Sequence, residues 1–241
     1  MILVVDSGST KTDWIALDDK GEEIFSTQTL GLNPQMLSNE ILNERIKNNF
    51  DIYKNRKLVN KLFFYGAGCG VDSTQERILK VFKSIFINSE FDIKEDTYAA
   101  VYSAVDIGIP SIVNIIGTGS NCSYYDGKDV IQRVQSLGYV LMDYASGNYY
   151  GKYLIRAYYF NKMPEYLREE FAKNYDLSPN TIKNKLYREE NPNTYLAGFA
   201  KFLIDNKSNE YFKEIIFKGL ERFIDYQILQ YDDFSKVDVH Y

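Results

Sequence analysis

One pattern occurs twice in this chain: a short apolar strand, a turn of small hydroxyl-bearing residues, and a hairpin. In the first half, residues 1–5 lead into the turn at 6–13. Strands follow at 13–17 and 22–30, either side of a turn at Asp18, Asp19, Lys20 and Gly21. In the second half, residues 111–116 lead into 117–122, with strands at 121–125 and 130–134 around Asp126, Gly127 and Lys128. A chain that repeats this pattern is expected to form two α/β domains, each opening with an antiparallel meander, with the hinge near Gly108 to Pro110.

Helical periodicity fills the remainder. The first half predicts helices at 38–48, with Ser38 as N-cap, and at 73–87, with Ser73 and Glu76 as a capping box. It also predicts a small-residue helix at 97–105 behind Asp96, and strands at 61–65 and 91–93. The second half predicts helices at 149–159, 164–174, 178–188, 194–205 and 210–230, and a closing strand at 236–241.

Composition narrows the chemistry. With 241 residues, 45% of them hydrophobic, the chain can bury a large core. Two cysteines and one histidine are too few for a disulfide framework, a thiolate metal site or a serine–histidine triad. A net charge of −5 without a basic stripe argues against nucleic acid. No window is apolar enough to span a membrane, and residues 1–5 lack the layout of a signal peptide, so the expected location is cytoplasmic, with no membrane partner.

Three segments carry chemistry. The glycine and hydroxyl turn at 6–13 can wrap phosphate oxygens with backbone N–H groups, although it lacks the Walker A spacing; an ordinary turn held by Asp6 is the alternative. The turn Gly117, Thr118, Gly119, Ser120, Asn121, Cys122 repeats that chemistry at the matching place in the second half. A pair of such turns suggests two phosphate clamps. Asp96, between a strand and a helix, suits a base that takes a proton from an attacking hydroxyl, and it equally suits a helix N-cap; one carboxylate can do both. Lys11 reads either as a phosphate-binding cation or as a solvated turn lysine.

Taken in order, these segments resemble a known motif set. Residues 6–13, Gly31 with Leu32 and Asn33, residues 65–68, Asp96 with Ala99 and Ala100, residues 117–122, and Leu137 and Gly138 with Asp143, Ser146, Gly147 and Gly151 carry the likeness. The chain is similar to the N-acetylglucosamine kinase branch of the BadF/BadG/BcrA/BcrD ATPase family, within the actin-like, hexokinase and Hsp70 superfamily. The likeness covers residues 1 to about 155. It implies an α/β fold of two RNase-H-like (actin-like ATPase) domains around a central cleft. The first would span 1–108, and the second 109–241 with a helical insertion.

The resemblance also implies roles. Gly8, Ser9, Thr10, Lys11, Thr118 and Gly119 would hold ATP, Asp6 would hold Mg²⁺, and Asp96 would be the base acting on a sugar 6-hydroxyl. Asn33, Ser120, Asn121 and Asp143, with the backbone around Ser136, Leu137 and Gly138, would bind the sugar. Two departures bear on which sugar fits. The branch commonly reads Gly-Asp-Glu-Gly-Ser-Gly where this chain has Met142, Asp143, Tyr144, Ala145, Ser146, Gly147, and mammalian-type members have tryptophan where Leu137 stands. In the family a strand like 237–241 is followed by a loop and helix holding adenosine, so the expectation is either a sequence cut short of that segment or a nucleotide pocket open on that side. The expected function is ATP-dependent phosphorylation of N-acetylglucosamine or a related amino sugar. The alternatives are a non-catalytic sugar or nucleotide sensor and an ATPase activator of a radical dehydratase or reductase. The Tyr-rich helices are the expected surface for a homodimer.

Overall fold

A computed structural model describes residues 1–8, 11–189 and 191–241. The chain falls into two compact units, Met1–Ser103 and Ala104–Tyr241, each with its own core.

The first unit is built on a five-stranded sheet. Strands β1 (Ile2–Ser7), β2 (Lys11–Leu17) and β3 (Glu23–Leu30) form the expected antiparallel meander. Helices α1 (Asn39–Lys47) and α2 (Phe50–Asn55) then carry the chain to β4 (Lys61–Gly66). Helix α3 (Asp72–Ile85), β5 (Glu90–Glu95) and α4 (Thr97–Ala104) complete the unit. The strand order is β3-β2-β1-β4-β5, with β1, β4 and β5 parallel. Alternation puts Leu3, Val5, Trp14 and Ala16 on the buried face, where Phe82 of α3 meets Trp14, Phe64, Phe86 and Phe91 at ring-centroid distances of 5.0–6.5 Å.

The second unit repeats the hairpin. Strands β6 (Ser111–Ile116), β7 (Ser120–Tyr125) and β8 (Val130–Ile131) are antiparallel. Helices α5 (Gly147–Tyr159), α6 (Glu165–Asn174), α7 (Pro179–Tyr187), α8 (Pro192–Gly198), α9 (Ala200–Asp205) and α10 (Glu210–Tyr226) follow. The last strand, β9 (Asp238–His240), runs parallel to β6, and the Asn114 amide donates to the His240 carbonyl at 3.0 Å. Aromatic packing dominates this core, with Phe171 ringed by Tyr158, Tyr175, Phe199 and Phe202 at 4.9–6.1 Å.

Several expected boundaries shift for local reasons. Ser38 caps α1 as expected, accepting from the Ile41 N–H, whereas Ser73 does not cap α3. That helix begins a residue earlier, and its N-cap position is Val71, whose carbonyl accepts the Thr74 hydroxyl at 2.8 Å. The helix expected over 194–205 is two pieces. After Gly198 the Phe199 N–H bonds Leu196, three residues back, so the turn tightens there. The strand expected at 130–134 stops at Ile131, where the Arg133 N–H bonds the Tyr231 hydroxyl instead of a ladder partner. The helix expected to reach 230 ends at Tyr226 and continues as a 3₁₀ turn, Ile228–Gln230.

The α5–α8 contact depends on Gly151, because a Cβ there would overlap the Leu196 carbonyl carbon and oxygen. Backbone cannot swing aside as a side chain can. Gly151→Ala is therefore expected to destabilise the chain by about 1–3 kcal/mol, read as a lowered midpoint in urea denaturation.

Candidate functional site

In the first unit, strand register assembles the site. Ser7 lies beside Gly66, and Gly66 beside Glu95, so β1, β4 and β5 end side by side. The segments leaving those ends carry Gly8, residues 67–70 and Asp96. The carboxyl edge of parallel strands is where open α/β sheets bind ligands. Ser7, in the sequence one member of the 6–13 turn with no role of its own, lies on the buried face with Leu3 and Val5. The Leu32 N–H donates to Ser7 Oγ at 3.0 Å, Ser7 Oγ lies 2.8 Å from Thr12 Oγ1, and Thr12 donates to the Leu30 carbonyl at 3.2 Å. This relay ties the Gly31, Leu32, Asn33 segment to the first hairpin.

Two glycines make room for polar side chains here. Gly68, at φ +80°, has no Cβ where the buried Asn33 amide sits, and that amide oxygen accepts from the Gln35 N–H at 2.9 Å. A Cβ on Gly70 would lie 2.9 Å from Glu95 Oε1. Glu95 is a further acidic group at this edge, visible in sequence only as the neighbour of Asp96.

The carboxylates raise one another. Burial lifts the Asp96 carboxyl above its ordinary range, a hydrogen bond from the Thr97 N–H opposes this, and the charge of Asp6 adds to it. Burial and then Asp13 lift Asp6, with Lys11 opposing. Burial and then Asp96 lift Glu95. The thiol of buried Cys69 is pushed up to about 12 by burial and then by Asp96 and Glu95, so it is no thiolate. Lys11 places its ammonium 2.8 Å from the Asp13 carboxylate. Ser9 and Thr10 lie outside the described residues.

Among the described residues no three His, Cys, Asp or Glu side chains converge as a metal cage. Mg²⁺ needs no such cage, since it keeps several waters and takes one or two carboxylates together with substrate phosphates. Asp6, a single carboxylate at the strand edge with Asp13 near enough to raise it, fits that donor set.

In the second unit the turn between β6 and β7 docks on α5. Gly117 donates to the Gly119 carbonyl at 2.9 Å; the Gly117 carbonyl accepts from the Gly147 N–H at 2.8 Å, and that of Thr118 from the Asn148 N–H at 3.0 Å. First-turn donors of a helix, otherwise without intrahelical partners, thus hold the turn. Thr118 stays exposed. Buried Asn148, also passed over in the sequence, adds amide bonds to the Thr118 carbonyl at 2.6 Å and to Asp143 Oδ2 at 2.9 Å.

Asp143 is buried at φ +64°, and a Cβ on Gly119 would lie 2.7 Å from its Oδ2. Ser146 caps α5 and donates to the Asp143 carbonyl at 2.6 Å. Ala145 holds φ +62°, a region glycine occupies freely, so the turn keeps a glycine-like shape with alanine in place. Ser120 donates to the Tyr144 carbonyl at 2.7 Å, and the Asn121 amide oxygen accepts from Ser123 at 2.8 Å. Ser136 and Leu137 are exposed, ahead of a turn in which Gly138, at φ +80°, accepts from the Met142 N–H at 2.9 Å. The structure thus gathers Asp6, Gly8, Asn33 and Asp96 at one strand edge of the first unit. It gathers Thr118, Gly119, Ser120 and Asp143 around Asn148 in the second.

No protein-family model matches the chain, and no curated protein sequence does. Solved structures do. A proposed N-acetylglucosamine kinase from Porphyromonas gingivalis is 28% identical with a TM-score of 0.87, over 100% of this chain and 84% of that one. A proposed N-acetylglucosamine kinase from Chromobacterium violaceum is 14% identical with a TM-score of 0.67, over 99% and 85%. A proposed sugar kinase from Cytophaga hutchinsonii is 14% identical with a TM-score of 0.50, over 100% and 93%. Among the described residues no helix is long and apolar enough to cross a membrane.

The raised Asp96 carboxyl has a measurable consequence. A carboxyl whose folded pKa exceeds its unfolded value weakens the fold at neutral pH, and the penalty fades as pH falls through the folded pKa toward the unfolded one. Asp96→Asn, which keeps an acceptor for the Thr97 N–H, is expected to raise the thermal midpoint of the Mg²⁺-free chain at pH 7. The gap from the native chain should close by about pH 4.

Proposed function

We propose that this chain is an ATP-dependent sugar kinase of the actin-like ATPase superfamily, acting on the 6-hydroxyl of N-acetylglucosamine or a related amino sugar. The observation that carries the reading is Asp96, a carboxylate lifted by burial at the carboxyl edge of three parallel strands, with Asp6 close enough to perturb it. The likeness over the whole chain to proposed N-acetylglucosamine kinases supports it.

In this reading Asp96 takes the proton of the sugar hydroxyl as its oxygen bonds the γ-phosphorus, and the bond from that phosphorus to the ADP oxygen breaks. A base poised above the usual carboxylate range holds that proton better in the transition state. Gly8, Ser9, Thr10, Lys11, Thr118 and Gly119 hold ATP, with the glycines admitting the phosphates closely. Asp6 holds Mg²⁺, which when bound offsets negative charge on the phosphate oxygens. Asn33, Asp143, Ser120 and Asn121, with the backbone at Ser136, Leu137 and Gly138, orient the sugar.

The sensor reading draws on the altered loop at Met142, Tyr144 and Ala145. Against it stands the left-handed Ala145, which keeps the turn's shape. The radical-enzyme activator needs cluster-binding thiolates. Cys69 and Cys122 are both buried, with thiols pushed up to about 12.

ADP release measured with glucose, glucosamine, N-acetylglucosamine, N-acetylmannosamine and N-acetylmuramic acid separates the three. Sugar-dependent turnover is expected; sugar-independent turnover would indicate the activator, and none the sensor. Asp96→Asn is expected to lower turnover by roughly 100-fold or more with sugar affinity nearly unchanged. Native turnover in that variant removes Asp96 from the chemistry.

A further inference from the structure

Away from the phosphate turns, α5 and α10 enclose a cavity of about 360 Å³ within the second unit. Its floor is apolar: Ala157 and Ile215 are buried, and Tyr153 and Phe160 stand beside them. Phe160 is 68% exposed, a large ring left uncovered on the cavity wall. The volume lies at the small end of ligand clefts, which span roughly 300–1,000 Å³.

The rim is cationic in a chain whose net charge is −5. Arg156, Lys162, Lys218 and Arg222 line it, and no acidic side chain does. Lys218 is paired with Glu214 at 2.6 Å, but among the described residues Arg156, Lys162 and Arg222 have no carboxylate at ion-pair distance. Arg222 is turned toward the cavity by a 3.4 Å contact from Nη1 to the Tyr149 hydroxyl. Glu214 raises the Lys218 ammonium above its ordinary range, with Arg222 opposing, so Lys218 is the rim cation whose charge is already met. Three unpaired cations around an apolar, aromatic floor form an arrangement that an anion with a ring body would stabilise.

We propose that this cavity is a second ligand site, taking a phosphomonoester borne on a small ring-bearing molecule, with phosphate on the Arg156, Lys162 and Arg222 rim and the ring against Tyr153 and Phe160. Guanidinium groups recognise phosphate through paired N–H donors, and aromatic faces accept sugar or base rings. The site stands independently of the kinase reading, since none of its residues belongs to the phosphate turns or the Asp96 edge.

Isothermal titration tests it, with AMP, glucosamine 6-phosphate and inorganic phosphate as separate probes and the full chain in the cell. At least one ring-bearing phosphate is expected to bind more tightly than inorganic phosphate. Its affinity should fall about 10-fold or more in Arg156→Ala/Arg222→Ala, because charge-assisted hydrogen bonds are removed. Tighter binding of AMP marks a nucleotide as the source, and of glucosamine 6-phosphate a sugar phosphate. Phe160→Ala should weaken the ring-bearing probes alone. Circular dichroism checks folding, and exposed Lys162→Ala replaces the double variant if that one unfolds. Unchanged affinity in the rim variants places the bound phosphate elsewhere and overturns the proposal, as does the absence of binding at millimolar probe, or inorganic phosphate binding as tightly as both ring-bearing probes.

Discussion

Backbone pairing among β1, β4 and β5 leaves Ser7, Gly66 and Glu95 side by side, and the reactive groups of the first unit are delivered from those three ends. A shift of one residue would turn Ser7 and Asp6 to opposite faces, breaking the hydroxyl relay and burying a carboxylate in the Trp14 core. The hydrophobic alternation of β1 therefore protects the chemistry as well as the packing. A slipped register would place Leu3 and Val5 in water and is excluded by their burial.

The second unit solves the same problem with a helix. The turn after β6 is held by the first N–H groups of α5 and by the Asn148 side chain, so the helix end is satisfied by the turn and the turn is fixed by the helix. Two strained positions, Asp143 and Ala145, precede that helix. A left-handed alanine costs about 1–2 kcal/mol and a left-handed aspartate less, and the turn is held closed against that cost by Ser146, which caps α5 and bonds the Asp143 carbonyl, by Ser120 on the Tyr144 carbonyl and by Asn148 on the Asp143 carboxylate.

Much of this was legible in the sequence, and the part that was not has a physical explanation. The meanders and both glycine turns are local, so period-two alternation and turn residues reveal them. The Ser38 cap was visible because a side chain and a backbone amide three residues apart settle it between themselves. The capping box at Ser73 was not realised, because a matching pair of residue types does not say which residue starts the helix, and Val71 does. The division of 194–205 at Phe199 turns on Gly198 and on α8 lying against Gly151, a contact with no trace in local spacing. Asn148 escaped notice because its partners, Thr118 and Asp143, are set by tertiary placement. The cationic rim escaped for the same reason, since α5 and α10 supply it from distant stretches of chain.

Gly70 and Gly119 share one property: the atoms nearest an added methyl belong to carboxylates, Glu95 and Asp143, which are ends of side chains rather than backbone. A folded chain could absorb alanine at Gly70 by turning Glu95 aside, whereas at Gly119 the same move breaks the Asn148 bond to buried Asp143. Selection for abundance would then be blind to Gly70 alone, and only selection for what Glu95 touches would keep it glycine.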